Sequence, residues 1–273
     1  MGDAVRLNAY LERVGFAGSI APTLATLEAL HALQPAAIPF ENLDVLLDLP
    51  VALDQPSLER KLLDERRGGI CVELNLLLLR VLLDLGFEAR AHLATVLLGA
   101  SGEGSGRPDH MLLSVDIAGT TWLADVGFGG RLQTAPLKFR PDVEQPTPHG
   151  AYRILADGEA FRLDFQRGDA WVPAYLFTLD PADDAAIAAA LAPGPHSVLT
   201  EHLLAERASE AGRIRLLDTR FSMEDETGRA ERALGSVDEI RAALAAEFGI
   251  ALPADERLDP ALARFVERNA LAG

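Results

Sequence analysis

Apolar residues in the first third of the chain recur at helical spacing. Over Thr23 to Leu33, Leu24, Leu27 and Leu30 fall on one face and, with Ile38 beyond them, serve a shared core. Leu74, Leu77, Leu78, Val81, Leu82 and Leu85 repeat at steps of three and four, and the run stops at Gly86, a residue suited to closing a helix. The pattern predicts a buried helix that opens at or near Cys71. From Ala89 to about Phe165 the texture changes to short β-rich runs separated by Gly and Pro, including Ala89 to Leu98, Met111 to Ile117, Thr121 to Val126 and Tyr152 to Leu155. They predict an antiparallel sheet or barrel. The Gly- and Ser-rich stretch Gly99 to Pro108 reads as a mobile surface connection. Beyond Pro181 helical signals return: Ser236 and Glu239 are spaced as a capping box, and Asp259-Pro260 reads as a cap followed by a first-turn proline. Arg213 to Leu217 is strand-like, and no internal repeat is found.

Composition narrows the class of protein. The 273 residues suffice for one large domain or a few modules on a common core, and 49% apolar with 24% charged residues is an ordinary globular balance. A formal charge of -16 repels a phosphate backbone and an anionic membrane, so neither nucleic acid nor a lipid surface is an expected partner. The single cysteine makes no internal disulfide, Met1 to Phe16 carries charges where a signal peptide would be apolar, and no uncharged stretch reaches membrane-spanning length. The expected location is the cytoplasm.

The chemistry starts from Cys71. A cysteine at a helix N-terminus feels the positive end of the macrodipole and can lose its proton near neutral pH, although a lone cysteine is as often a small buried hydrophobe. Gly68 and Gly69 before it are expected to let the backbone approach a ligand. A base and a carboxylate lie on one predicted hairpin. If Ala118-Gly119 is its turn, His110 stands across from Gly127, and Asp125, two residues earlier, shares its face. Such a diagonal pair lies about 7–8 Å apart at the backbone, within side-chain reach. The competing reading is a surface histidine and an aspartate near a turn. Thiol, imidazole and carboxylate together make an activated nucleophile, but spacing alone does not bring Cys71 to His110.

Four motifs supply that link. Arg67-Gly68-Gly69-Ile70-Cys71-Val72-Glu73, Ile38-Pro39-Phe40-Glu41-Asn42-Leu43-Asp44, His110-Met111-Leu112-Leu113 and Asp125-Val126-Gly127-Phe128-Gly129-Gly130 stand in the order and approximate spacing of the arylamine N-acetyltransferases, which this sequence resembles over about residues 5 to 140. The resemblance implies an α+β fold with a papain-like cysteine-enzyme core: a helical domain over 1–88 carrying the nucleophile, an antiparallel β-barrel over 89–194 carrying histidine and aspartate, and an α/β lid over 195–273. It makes Cys71 the nucleophile that becomes acyl-cysteine, His110 its base and Asp125 the orienting group. Phe40, Val96 and Phe128 match positions lining the amine pocket, with an ordinary core role as the alternative for Phe40 and Val96. Gly129 belongs to the loop expected near the thioester donor. For Arg67 and Glu73 a structural ion pair stands beside a direct catalytic role. No metal and no tightly bound cofactor are implied; the co-substrate is acetyl-CoA or a carrier-protein acyl thioester, and the acceptor an aryl amine.

The sequence also departs from the family pattern. Leu74 replaces a polar glutamine after the nucleophile, and Thr95 stands where many members have arginine. Pro195-His196-Ser197-Val198-Leu199 keeps only part of the family's Thr-His-Pro-x-Ser-x-Phe loop, which helps define the coenzyme A cleft. These departures keep open the related ansamycin amide synthases, which close a carrier-bound polyketide onto its own aryl amine. Against that, the acidic surface gives no clear docking patch for an acidic carrier. A cysteine hydrolase and a non-catalytic binder are the remaining readings, and an intact Cys, His and Asp weigh against the binder.

Overall fold

The computed structural model describes residues 5–97, 106–191 and 197–272. The chain opens with helices α1 (Leu7–Val14) and α2 (Leu24–Ala37), then a two-residue strand β1 (Phe40–Glu41) and the short helix α3 (Leu43–Leu46). Helix α4 (Gln55–Glu59) runs into a π-helical turn at Arg60–Asp64, and α5 (Cys71–Asp84) follows. Eleven of the fourteen residues of α5 are buried, so it is the central post of the apolar cluster formed with α1 and α2. Its first residue is Cys71, as the periodicity predicts.

An eight-stranded antiparallel sheet comes next: β2 (Glu88–Val96), β3 (His110–Ile117), β4 (Thr120–Ala124), β5 (Leu137–Lys138), β6 (Glu144–Thr147), β7 (Gly150–Asp157), β8 (Ala160–Arg167) and β9 (Ala170–Pro181). Their spatial order is β5-β4-β3-β2-β9-β8-β7-β6. The two outermost strands approach each other, with Gln145 Nε2 donating to the Lys138 carbonyl at 2.9 Å, and the sheet forms a nearly closed barrel. Strand β3 is buried on both faces: Met111, Leu113 and Val115 join the cluster around α5, while Leu112 points into the barrel with Phe165, Tyr175 and Phe177. The sheet runs on to Pro181, past Phe165 where the β texture was expected to end.

After α6 (Asp184–Leu191) and α7 (Val198–Glu201), four strands follow: β10 (Leu204–Ser209), β11 (Gly212–Leu217), β12 (Arg220–Asp225) and β13 (Gly228–Ala233). Only β11 was legible in the sequence. Together with β1 they make a second sheet, ordered β1-β10-β11-β12-β13. Helices α8 (Val237–Ala246) and α9 (Leu258–Ala272) share a second apolar cluster with Leu216 and Phe221 of this sheet and with Leu43 and Leu47. The C-terminal sheet is thus sealed by residues from the first fifty, because the β1 edge pairs Phe40 with Glu206.

Two local expectations are corrected. Helix α9 begins at Leu258, so Asp259 lies inside its first turn rather than capping it; Pro260 still falls where a missing N–H costs nothing. Ser236 does cap α8, accepting from Glu239 N–H at 3.2 Å, but the Glu239 carboxylate reaches the amide of Gly235 instead of completing the box. Most of the connection expected over 99–108 lies outside the described residues, as do Pro195 and His196 of the divergent loop. No described helix is long and apolar enough to cross a membrane.

Candidate active site

The helix that opens at Cys71 is anchored from below by buried charge. Glu73, in the first turn of α5, accepts the Ile70 N–H at 2.9 Å and the Lys61 ammonium at 2.7 Å. Lys61 also meets Asp44 at 2.7 Å, and Arg67 spans Glu41 and Asp44. Burial pushes the Glu73 carboxyl up, against the opposing pull of Lys61. Arg67 and Glu73 are therefore both ion-paired, though not to each other. Removing one member of such a network strands a buried charge, which costs about 3–5 kcal/mol.

The glycines before Cys71 serve packing rather than ligand approach. A side chain on Gly68 would sit 2.2 Å from the Pro39 carbonyl oxygen, and one on Gly69 would strike Glu73. What they admit is the protein itself. The backbone hydrogen bonds Gly69 N–H to Pro39 O and Glu41 N–H to Gly69 O stitch this segment to the β1 strand.

The hairpin register is the expected one. Leu113 pairs with Ala124 and Ile117 with Thr120 around a turn at Ala118 and Gly119, which extrapolates to His110 opposite Gly127. His110 Nε2 lies 2.7 Å from Asp125 Oδ2, with both side chains nearly inaccessible to solvent. Burial alone would lower the imidazole pKa, but the Asp125 charge and hydrogen bond outweigh it, and a side-chain hydrogen bond with Cys71 adds to them. The ring is pushed up to about 10. Burial opposes ionisation of Asp125 too, yet His110, Asn75 and the Gly127 amide hold its carboxyl below the usual range.

Cys71 is 7% exposed, and its sulfur lies 4.0 Å from the Asp109 carbonyl. Gly127 presses on the same residue: a Cβ there would lie 2.8 Å from both Cα and O of Cys71. The Gly127 amide donates to Asp125 Oδ1 at 3.0 Å, so one loop fixes the carboxylate and the Cys71 backbone together. The structure brings Cys71, His110 and Asp125 into a single cluster.

The remaining predicted site residues sit around it. The Phe128 ring meets His110 edge-on with centroids 5.1 Å apart. Phe40, on β1, lies against Gly129 so closely that a Cβ there would be 2.4 Å from the ring. Val96 ends β2, packs against the barrel cluster that contains Phe128, and receives its own anchor from Asp109 Oδ1 at 2.8 Å. Leu74 is fully buried among apolar neighbours.

Several residues that shape the site were not assigned roles from the sequence. Asn75 Nδ2 donates to Asp125 Oδ1 at 3.0 Å and to the Met111 carbonyl at 2.9 Å, while its Oδ1 accepts the Val126 amide at 3.0 Å. Its position one helical turn after Cys71, on the same face, was the available signal. Tyr175 on β9 donates to Asp125 Oδ2 at 3.0 Å, and Gln133 donates to the Tyr175 hydroxyl at 3.2 Å. His31 Nε2 accepts the Asp125 amide at 3.0 Å; burial drives its pKa down to about 4 and keeps it neutral. Glu206 on β10 accepts the Gly130 and Leu132 amides at 2.6 and 2.9 Å, tying the glycine loop to the C-terminal sheet. Asn42 likewise holds α7 by donating to the carbonyls of Leu199 and His202. Tertiary register places all of these except Asn75, and no local pattern marks them. Among the described residues, no group of three or more His, Cys, Asp or Glu is placed to hold a metal ion.

A family model described as N-acetyltransferase matches residues 23–257. Over 250 residues the chain is 38% identical to the arylamine N-acetyltransferase of Escherichia coli K12, covering 89% of this chain and 88% of that one. It is 44% identical over 173 residues to the arylamine N-acetyltransferase / N-hydroxyarylamine O-acetyltransferase of Salmonella typhimurium; this match spans 63% of the chain and 61% of the relative. The solved Mycobacterium marinum arylamine N-acetyltransferase in complex with CoA superposes with a TM-score of 0.90 at 29% identity, over 95% of this chain and 99% of that one. In motif, fold and matched sequence alike, the chain belongs to the arylamine N-acetyltransferase family.

Proposed function

We propose that the protein transfers an acetyl group from acetyl-coenzyme A to an aryl amine or aryl hydrazine through an acyl-cysteine at Cys71. The observation that carries this reading is the buried cluster in which Asp125 holds His110 as a cation beside the Cys71 sulfur. With Nε2 engaged by the carboxylate, Nδ1 is the ring nitrogen left for the sulfur. A histidine held this way stabilises the thiolate and keeps a proton in position for the leaving group. In the first step the sulfur attacks the thioester carbonyl, first-turn amides of α5 and their dipole stabilise the oxyanion, and the donor thiol leaves with a proton. In the second an amine attacks the acyl-cysteine, Cys71 departs as thiolate, and His110 takes up the amine's proton.

Phe40, Val96 and Phe128 supply apolar walls suited to a flat aromatic acceptor. The donor and acceptor follow the relatives: arylamine N-acetyltransferases by name, one of them solved with CoA bound. A nucleophile that must remain reduced fits the cytoplasm. Intact-protein mass spectrometry tests the reading. Acetyl-CoA should add one acetyl group to the wild-type chain and none to Cys71→Ser, and an aryl amine should discharge the adduct as its amide. An unmodified wild-type chain, or an adduct that survives in Cys71→Ser, overturns it. Acylation by a carrier-bound thioester but not by acetyl-CoA would replace it with amide synthesis on a carrier.

A further inference from the structure

Asp109 brings a carboxylate beside the Cys71 cluster that acyl-cysteine chemistry does not require. It immediately precedes His110, and its N–H donates to the Ala94 carbonyl at 3.0 Å, at the end of the β2–β3 pairing. Its own carbonyl lies 4.0 Å from the Cys71 sulfur. Its side chain turns back onto β2, where Oδ1 accepts the Val96 N–H at 2.8 Å. One half-buried residue thus joins the sulfur that would carry the acyl group to the strand end that carries Val96.

This charge is not cancelled locally. The other carboxylates around the start of α5 are ion-paired: Asp125 with His110, Glu41 with Arg67, and Asp44 and Glu73 with Lys61. Asp109 forms no salt bridge with a described residue, and the Val96 N–H is the one donor that its carboxylate receives from the described chain. The carbonyl and carboxylate oxygens of a single aspartate are at most about 5 Å apart, so the charge stands within about 9 Å of the sulfur, inside one screening length at moderate salt. Phe40 and Phe128, the aromatic walls expected around the acceptor, are buried and carry no charge to offset it. Apolar surroundings screen a charge less than water does and so lengthen its reach.

We infer that Asp109 sets the charge of the acceptor: the site favours aryl amines and aryl hydrazines with neutral or cationic substituents and discriminates against those bearing a carboxylate or sulfonate. The inference rests on the acyl-transfer reading above, and it makes Asp109 a specificity residue rather than a catalytic one. The attacking nitrogen is the neutral amine in every case, so the selection acts on the rest of the acceptor. It works by repelling the wrong ligand, since a like charge brought into a poorly screened site is penalised while an opposite one is drawn in.

Three para-substituted anilines of similar size test it: 4-aminobenzoate, 4-aminobenzamide and 4-(aminomethyl)aniline are anionic, neutral and cationic at neutral pH. Their intrinsic nucleophilicities differ, so the quantity read is the change between wild type and Asp109→Asn, whose side-chain oxygen can still accept the Val96 N–H. Relative to the neutral amine, kcat/KM for the anion should rise about fivefold or more in the variant and that for the cation should fall, while Asp109→Glu keeps the wild-type order. Equal changes for all three acceptors, or none, overturn the assignment. Protection of Cys71 from iodoacetamide by the same amines reads the site without turnover. The cation should protect the wild type at the lowest concentration and the anion at the highest, and Asp109→Asn should bring the two together. If acetyl-CoA leaves Cys71 unacylated, the acyl-transfer reading fails, while a protection order that depends on Asp109 still supports the charge filter. An order indifferent to Asp109, or no protection by any of the three, overturns it.

Discussion

His110 Nε2 and Asp125 Oδ2 are 2.7 Å apart in a setting almost closed to water, and that single contact sets the charge state of the site. The folded imidazole, pushed up to about 10, lies above its ordinary value of 6.5. A raised folded pKa stabilises the protein fully below the unfolded value and ceases to do so as pH climbs through the folded one. The stability difference between wild type and His110→Gln should therefore be largest below about pH 6.5 and shrink steadily toward pH 10. Urea midpoints of the two proteins across that window measure it; a difference independent of pH would refute the buried ion pair.

The same cation should govern the thiol's reactivity. Iodoacetamide is expected to alkylate Cys71 in the wild type at neutral pH and to do so at least about tenfold more slowly in His110→Gln, because the proposed mechanism makes His110, hydrogen-bonded to the sulfur, the group that activates it. Mass spectrometric time courses give both rates. Equal rates would show that His110 does not act on the sulfur.

Asn75 joins α5 to the hairpin through three hydrogen bonds, to Met111, Asp125 and Val126. Asn75→Leu leaves those buried groups without their partner. The expected cost is about 2–4 kcal/mol of unfolding free energy, accompanied by a large fall in kcat. Chemical denaturation checks the first and steady-state kinetics the second; a loss under about 0.5 kcal/mol would show that the bonds are readily replaced.

Tyr175 donates to the carboxylate oxygen that also receives His110. Tyr175→Phe keeps the ring's contacts with His110 and Phe128 and removes only the hydroxyl. The expected result is a stability loss of about 1 kcal/mol and a several-fold drop in kcat with little change in KM for the amine, since the lost interaction positions the Asp125 carboxylate and His110 rather than a substrate. A change confined to KM would place Tyr175 in the pocket instead.

Gly127→Ala brings a methyl group to within 2.8 Å of the Cys71 Cα, a contact that no side-chain rotation relieves. On the proposed mechanism, acylation should fall by about tenfold or more for every thioester alike, because displacement of Cys71 by a fraction of an ångström is enough. Burst kinetics with two unrelated donors tests this, and full activity with either would show that the loop can yield.

Local physics determined much of this protein from the sequence alone. The three- and four-residue spacing of the leucines after Cys71 defines a buried helix, and a cysteine at its first residue follows directly. The turn at Ala118 and Gly119 fixes a hairpin register, and a register carries His110 to Asp125 because side chains on a pleated strand alternate with period two. The family motifs joined the helix to the hairpin. Tertiary structure alone decided what surrounds them. Tyr175 reaches Asp125 from fifty residues away, and His31 from ninety-four, through pairings that no local pattern encodes. The strands β10, β12 and β13 pass unnoticed because they are short and mix charged with apolar residues, and the pairing of β10 with β1 depends on an edge formed at the other end of the chain. Asp109 reads singly as an ordinary acidic residue ahead of a strand; only the packing of α5 against the hairpin sets it beside the Cys71 sulfur.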